Sequence, residues 1–226
     1  MGRFGTLLHK ILTENCEDIV MVENIGQADI VFPCVPISSF EEVIKKITPK
    51  LKKESLVMDV CSVKIFPTQV MIKNLPKHVE IIASHPLFGP DSLKKRLKGL
   101  PMVIWPARVS DKNFKQIKRI FSNMGIKIIE MSPEEHDKIV AFTQLYAHLI
   151  GRIGQDVGIK PSIIDTKGFQ RLFSVQNLVT KDTQQLFIDM NRFNPFAKQM
   201  RAQVSQSLLH VEMELAHAEK GATIRL

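Results

Sequence analysis

The chain has 226 residues, a net charge of +8 from 31 Lys and Arg against 23 Asp and Glu, and a hydrophobic fraction of 44%. That is room for one large or two modest globular domains, and no apolar run approaches the roughly 18–20 residues of a membrane span. Three widely spaced cysteines (Cys16, Cys34, Cys61) fit neither a zinc motif nor a disulfide framework, which points to a reducing, cytoplasmic setting.

The first element is a helix: Phe4, Leu7, Leu8, Ile11 and Leu12 recur on one face after Met1-Gly2-Arg3-Phe4-Gly5. Arg3, His9 and Lys10 interrupt its apolar positions, so no secretory signal is expected. Asp18-Ile19-Val20-Met21-Val22-Glu23 has the composition of a strand. Only four residues separate it from the next apolar run, whereas parallel neighbours need a crossover of about a dozen. Either residues 19–22 are not a strand of the main sheet, or a crossover unit is lost.

Five short Val- and Ile-rich runs, 28–35, 56–60, 79–83, 102–105 and 126–131, read as strands buried on both faces. Residues 39–51 place Phe40, Val43, Ile44 and Ile47 on one helical face, with Ser39 as N-cap and Glu42 as its capping-box partner. Residues 111–124 repeat the pattern with Phe114, Ile117, Ile120 and Phe121. Alternating strands and helices predict an α/β fold with a mostly parallel sheet.

The pattern changes at Met131. Ser132-Pro133-Glu134-Glu135 supplies an N-cap, a proline at the first helical position and acids in the first turn. Helices are then expected over 133–157, 162–179, 182–191 and 195–218, with a break at Asn194-Pro195. The expected domains are 1–131 and an all-helical 132–226. Basic runs such as Lys45-Lys46 and Lys94-Lys95-Arg96 are dispersed, with no aromatic platform beside them. They read as solvated surface rather than a nucleic-acid site. A positive field also suits an anionic substrate or cofactor.

Two segments carry chemistry. Asp59-Val60-Cys61-Ser62-Val63-Lys64 and Ser84-His85-Pro86-Leu87-Phe88-Gly89-Pro90 each follow an apolar run and open a polar turn. They place a serine and a histidine at neighbouring strand ends, beyond which α/β sheets bind ligands. On a later helix, Gln144 and His148 of Thr143-Gln144-Leu145-Tyr146-Ala147-His148 share a face. Gly2 and Gly5 fit the second and third glycines of G-x-G-x-x-G with Met1 at the x, and Glu23 is the candidate ribose acid. Taken singly, His85 is a turn histidine, Ser62 a helix N-cap and Gln144–His148 a satisfied core pair. His136 is surface or helix-terminal, and its acidic neighbours make no metal site.

In this order and at these distances, the segments resemble the prephenate and arogenate dehydrogenases of tyrosine biosynthesis. Asp165-Thr166-Lys167-Gly168-Phe169 resembles the plant-type arogenate branch in particular. The resemblance implies an incomplete Rossmann-like domain, less its first strand, followed by a helical substrate and dimerisation domain. It implies oxidative decarboxylation of prephenate or arogenate, with NAD or NADP as hydride acceptor. His85 would be the base and Ser62 would orient the reacting hydroxyl. His148, Gln144, Lys64, Lys167 and Arg171 would contact substrate, with Arg152 a further cationic candidate. Gly2, Arg3, Phe4 and Gly5 would hold the nucleotide, with Val35, Pro36 and Ser38 beside the nicotinamide ribose. A homodimer built on apolar side chains between Leu186 and Met213 follows, with no nucleic acid and no membrane. The alternative is a degenerate homologue that folds and binds ligand without turnover.

Overall fold

The computed structural model describes residues 2–17, 19–91 and 96–221. Met1, Asp18 and Lys94-Lys95, which enter the readings above, lie outside the described residues.

Strands β1 (Ile30–Val31), β2 (Leu56–Met58), β3 (Glu80–Pro86), β4 (Pro101–Arg108) and β5 (Lys127–Glu130) form one sheet in the order β1-β2-β3-β4-β5. Pairs β1–β2, β2–β3 and β4–β5 are parallel, and β3–β4 is antiparallel. The sheet is therefore mostly parallel, as expected, and reverses direction once.

Helices cover both faces. On one side, α1 (Arg3–Asn15) and α4 (Asp111–Asn123) bury Leu8, Ile11, Leu12, Phe114, Ile117 and Phe121 against Leu56, Met58, Ile82, Met102 and Ile104. On the other, α2 (Phe40–Ile47) and α3 (Ile65–Asn74) bury Phe40, Ile44, Val70 and Met71 against Val57 and Ile81. Leu56, Val57 and Met58 alternate between the two cores. That is the two-period of a strand with apolar layers above and below.

After β5 every described element is helical. Ser132 caps α5 (Pro133–Val140) with a full capping box to Glu135. A π-helical turn, Ala141–Leu145, joins α5 to α6 (Tyr146–Val157). Then come α7 (Lys167–Val179), α8 (Gln184–Phe193) and α9 (Ala197–Gly221). Val140, Ala141, Leu145, Met190, Ala197 and Met200 join the core beneath α2 and α3.

One open alternative is resolved and three expectations are corrected. Ile19, Val20, Met21 and Val22 form no strand. Cys16 and Ile19 lean on the core beneath α1 and α4, Ile25–Gln27 makes a tight turn, and Val20 is 81% exposed. The run at 28–35 pairs over only two residues, Ile30 and Val31, and Pro33 has no N–H to continue the ladder. Ser39 does not cap α2: a tight turn at Ile37–Ser39 runs straight into the helix, so Ser39 already has helical dihedrals. Finally, α7 starts at Lys167 rather than 162, where Thr166 accepts the Phe169 N–H as its cap. Ahead of it Ser162 bonds Asp165 in a local turn.

Candidate active site

The site grows from the carboxyl ends of β2 and β3. Asp59 follows β2 and is fully buried. Its carboxylate accepts the Ser84 N–H at 3.0 Å and the Cys61 N–H at 3.1 Å, and pairs with the Lys64 ammonium. The same ammonium donates to the Ser84 carbonyl, and the Ser84 hydroxyl donates to the Asp59 carbonyl. Burial pushes the Asp59 carboxyl above its ordinary range against the pull of Lys64. Lys64 is thus a buried structural cation, 1% exposed, that ties two strand ends together. Its expected role on the substrate is corrected, because the charge is already spent on Asp59.

Two residues before Lys64, the half-buried Ser62 hydroxyl has no hydrogen-bond partner among the described residues. It does not cap α3, whose N-cap position is Lys64. Its hydroxyl is left available to a ligand.

His85 is the penultimate residue of β3, paired with Val103, rather than beyond the strand. Its ring is 4% exposed. Nδ1 stands 2.9 Å from His136 Nε2, and the two rings meet edge to face with centroids 5.1 Å apart. His136 Nδ1 lies 2.8 Å from Asp137 Oδ1. Burial, foremost, and the nearby His136 and Lys64 hold His85 well below the ordinary histidine range. Burial also lowers His136, against the raising effect of Asp137. Both imidazoles are therefore neutral near pH 7.

His136 is the residue that sequence reasoning missed. Among Glu134, Glu135 and Asp137 it reads as surface, yet it is 1% exposed. Asp137 places it: its carboxylate accepts the Lys64 N–H at 2.7 Å and the Ile65 N–H at 2.9 Å, capping the start of α3 from across the fold.

Gln144, His148 and Arg152 form an i, i+4, i+8 stripe on one face of the π turn and α6. Gln144 Oε1, His148 Nδ1 and Arg152 Nε are each buried without a hydrogen-bond partner among the described residues. Buried polar atoms are nearly always paired, so such orphans call for an explanation such as a bound ligand or water. His148 Nε2 lies 3.6 Å from Asp182, and the Arg152 guanidinium donates to Gln184 and the Asp182 carbonyl while stacking over Phe187. Burial, then Arg152, lowers His148 to about 4. Asp182 also feels the charges of Asp91 and Arg3. Arg3, at the start of α1, pairs with Asp91 at 2.6 Å.

Lys167 and Arg171 are not brought to this cluster. Both stand exposed on α7, with no ion pair among the described residues.

The start of α1, expected to hold the dinucleotide, is open to solvent. Gly2 is its N-cap, and a Cβ built there would meet nothing within 4 Å. A phosphate can approach the free N–H groups of the first turn. Gly5 is buried and Phe4 leans on the core beneath α1 and α4. Val35 packs on the core beneath α2 and α3, and Pro36 is exposed. Ser38 is already engaged, since its N–H and hydroxyl donate to Asp189 of α8 at 3.0 and 2.8 Å.

A family profile described as the prephenate dehydrogenase nucleotide-binding domain matches residues 10–130. The chain belongs to the prephenate dehydrogenase family. The match begins after Gly2 and Gly5, so it does not reach the start of α1. A second profile, the TYRAAT1-like C-terminal domain, matches residues 153–225.

Among similar proteins, arogenate dehydrogenase 2, chloroplastic, of Arabidopsis thaliana is 32% identical over 242 aligned positions, covering 95% of this chain and 68% of that protein. Arogenate dehydrogenase 1 of the same plant is 30% identical over 175 positions, 75% of this chain but only 27% of its own length. A solved prephenate dehydrogenase from A. aeolicus, in complex with hydroxyphenyl propionate and NAD+, superposes with a TM-score of 0.69 at 19% identity. It covers 96% of this chain and 80% of that one, and at that identity it shows a shared fold. The family is thus the one its motifs resemble, on the plant arogenate side.

Proposed function

We propose that this chain oxidatively decarboxylates arogenate or prephenate with NAD or NADP, as a step of tyrosine formation. The observation that carries this reading is His85: a buried neutral imidazole at the carboxyl end of β3, with the free Ser62 hydroxyl at the end of β2. A bound nicotinamide supplies the hydride acceptor, and Gly2, Arg3, Phe4 and Gly5 would hold its pyrophosphate. Everything else falls to the chain.

When hydride leaves the carbon that bears the ring hydroxyl, the oxygen becomes a carbonyl and releases its proton. His85 takes that proton, and Ser62 donates to the same oxygen and fixes its direction. The ring carboxylate then leaves as carbon dioxide; its bonding electrons complete the aromatic ring and pass to the carbonyl oxygen, and the phenolate so formed takes the proton back from His85. The orphaned stripe of Gln144, His148 and Arg152 offers polar atoms to the rest of the substrate. His148 presents a neutral ring there, so it binds by hydrogen bonding and leaves carboxylate charge to Arg152.

The test is turnover with each substrate and each nucleotide, followed as reduced nicotinamide, on the wild type and two variants. His85→Asn keeps a polar side chain of similar reach but removes the base, and should lower kcat by about 10²–10⁴-fold with nucleotide affinity unchanged. Ser62→Ala should cost less. An Asn variant within a few-fold of wild type would remove His85 from the mechanism. A folded wild type that binds nucleotide but turns over neither substrate would favour the degenerate homologue.

The same reading includes a homodimer and a reducing compartment. Among the described residues no helix is long and apolar enough to cross a membrane.

A further inference from the structure

The contacts that surround His85 fix which of its nitrogens carries hydrogen. The Lys64 and Ile65 N–H groups end on Asp137 Oδ1 and Oδ2, at 2.7 and 2.9 Å. A backbone N–H only donates, so both carboxylate oxygens are acceptors. His136 Nδ1, 2.8 Å from Oδ1, must then be the donor. A neutral imidazole carries a single N–H, which leaves His136 Nε2 bare. That atom faces His85 Nδ1 at 2.9 Å, so His85 Nδ1 holds the hydrogen and donates it. What remains on His85 is a lone pair at Nε2.

We propose that His136 and Asp137 are positioning residues that hold His85 in the Nδ1–H tautomer, with Nε2 bare and aimed as the acceptor of the substrate's hydroxyl proton. The proposal rests on the dehydrogenase reading for its use, but the tautomer is a property of the protein alone. The logic matches that of the carboxylate–histidine pairs of hydrolases, in which the orienting group selects the tautomer and stabilises the imidazolium. Here a second imidazole stands between base and carboxylate. When His85 gains a proton at Nε2, its Nδ1–H still donates to His136, and the Asp137 charge lies one ring further away.

The neutral states agree with the other charges facing the pair. Lys64 disfavours protonation of both rings, while Asp59 and Asp137 favour it at His136. Burial outweighs these carboxylates, so His136 stays a single donor rather than an imidazolium that would reverse the chain. Asp137 also has a second task. By accepting two N–H groups at the start of α3, it fixes the helical half against the sheet half, and its own carbonyl accepts from Asn194 at 2.8 Å. Substituting Asp137 would disturb the fold, so His136 is the residue to change.

The test uses ring ¹⁵N spectra of the full chain, with His85 assigned by its absence in His85→Asn. Wild type should show a protonated Nδ1 and a bare Nε2 at His85. His136→Phe fills the space without an acceptor and should abolish that preference. His136→Gln offers an amide oxygen to His85 Nδ1 and should restore it. In parallel, kcat should fall about 10²-fold in the Phe variant and recover in part with Gln. KM should hold, because His136 is screened from substrate by His85. The acid limb of the kcat profile should move to lower pH in the Phe variant, since the imidazolium loses its acceptor.

A wild-type His85 protonated at Nε2, or a tautomer unchanged in a folded His136→Phe, would overturn the proposal. A wild type without turnover but with the stated spectra would overturn the dehydrogenase reading and leave the tautomer assignment standing. Equal loss of kcat in the Phe and Gln variants, with both folded, would reduce His136 to a packing residue.

Discussion

His148 makes the fold sensitive to acid. An exposed imidazole titrates near 6.5, but burial and Arg152 bring His148 to about 4. The folded state therefore resists a proton that the unfolded chain accepts readily. The resulting stability is complete above about pH 6.5 and drains away as pH falls towards 4. A shift of that size corresponds to at most about 3 kcal/mol. Asp182, whose carboxyl burial raises, pulls the other way lower on the scale. The lowered His85 and His136 add to the acid loss. His148→Gln should flatten the fall in Tm between pH 6.5 and 4 while leaving part of it to the other two rings. Calorimetric scans across that range check this, and an unchanged slope would place the sensitivity elsewhere. At this scale the sequence was legible where a residue type has few uses and unreadable where a long-range partner decides. His85 and Ser62 stand out through their strand-end motifs. His136 hides among acids, because its burial depends on Asp137 reaching the start of α3, 72 residues back from Ile65's partner. Lys64 looks like a free cation until Asp59 is seen beneath it.

Elements were read well where periodicity and caps speak locally. The helix at Asp111–Asn123 and the Ser132 capping box fall where patterning puts them. The π turn at Ala141–Leu145 has no such signature; it widens the helix where the stripe of Gln144, His148 and Arg152 begins. Such turns are rare and gather at functional sites. The reversal of β4 is equally silent, since buried parallel and antiparallel strands share a composition. Packing of α6 on α7 yields a sharper expectation. A Cβ at Gly151 would overlap the Val179 side chain and stand 3.2 Å from the Gln176 backbone, and one at Gly154 would overlap Gln176. The two glycines let the helices approach closely, despite costing about 1 kcal/mol each in helix propensity. Gly151→Ala should therefore destabilise the chain by about 1–3 kcal/mol, although alanine is the better helix former. A Tm lower than wild type checks it. A rise would mean that the helices part without penalty.

At the scale of the whole molecule, the two halves share one core and are cross-tied by Asp137 and by the bond from Ser38 to Asp189. Composition could announce a sheet half and a helical half, but not how tightly they would be joined. That joining also revises the argument for a dimer. Met190 and Met200 are absorbed within the chain's own core, with Leu186, Phe193, Phe196 and Val204 packed beside them. What stays outside is the second half of α9: every residue from Ser205 to Lys220 is exposed, including Leu208, Leu209, Val211, Met213 and Leu215. Four turns of helix with this many apolar side chains do not persist alone in water, because isolated helices are marginal and draw their stability from packing. Exposed apolar surface marks association sites, and two-fold dimers are the commonest oligomer. The expected result is a dimer by light scattering at micromolar concentration. Leu208→Glu together with Leu209→Glu should shift it to the monomer mass, with the sheet half still folded by near-ultraviolet circular dichroism. A wild type that scatters as a monomer, or a double variant that remains a dimer, would move the interface off α9.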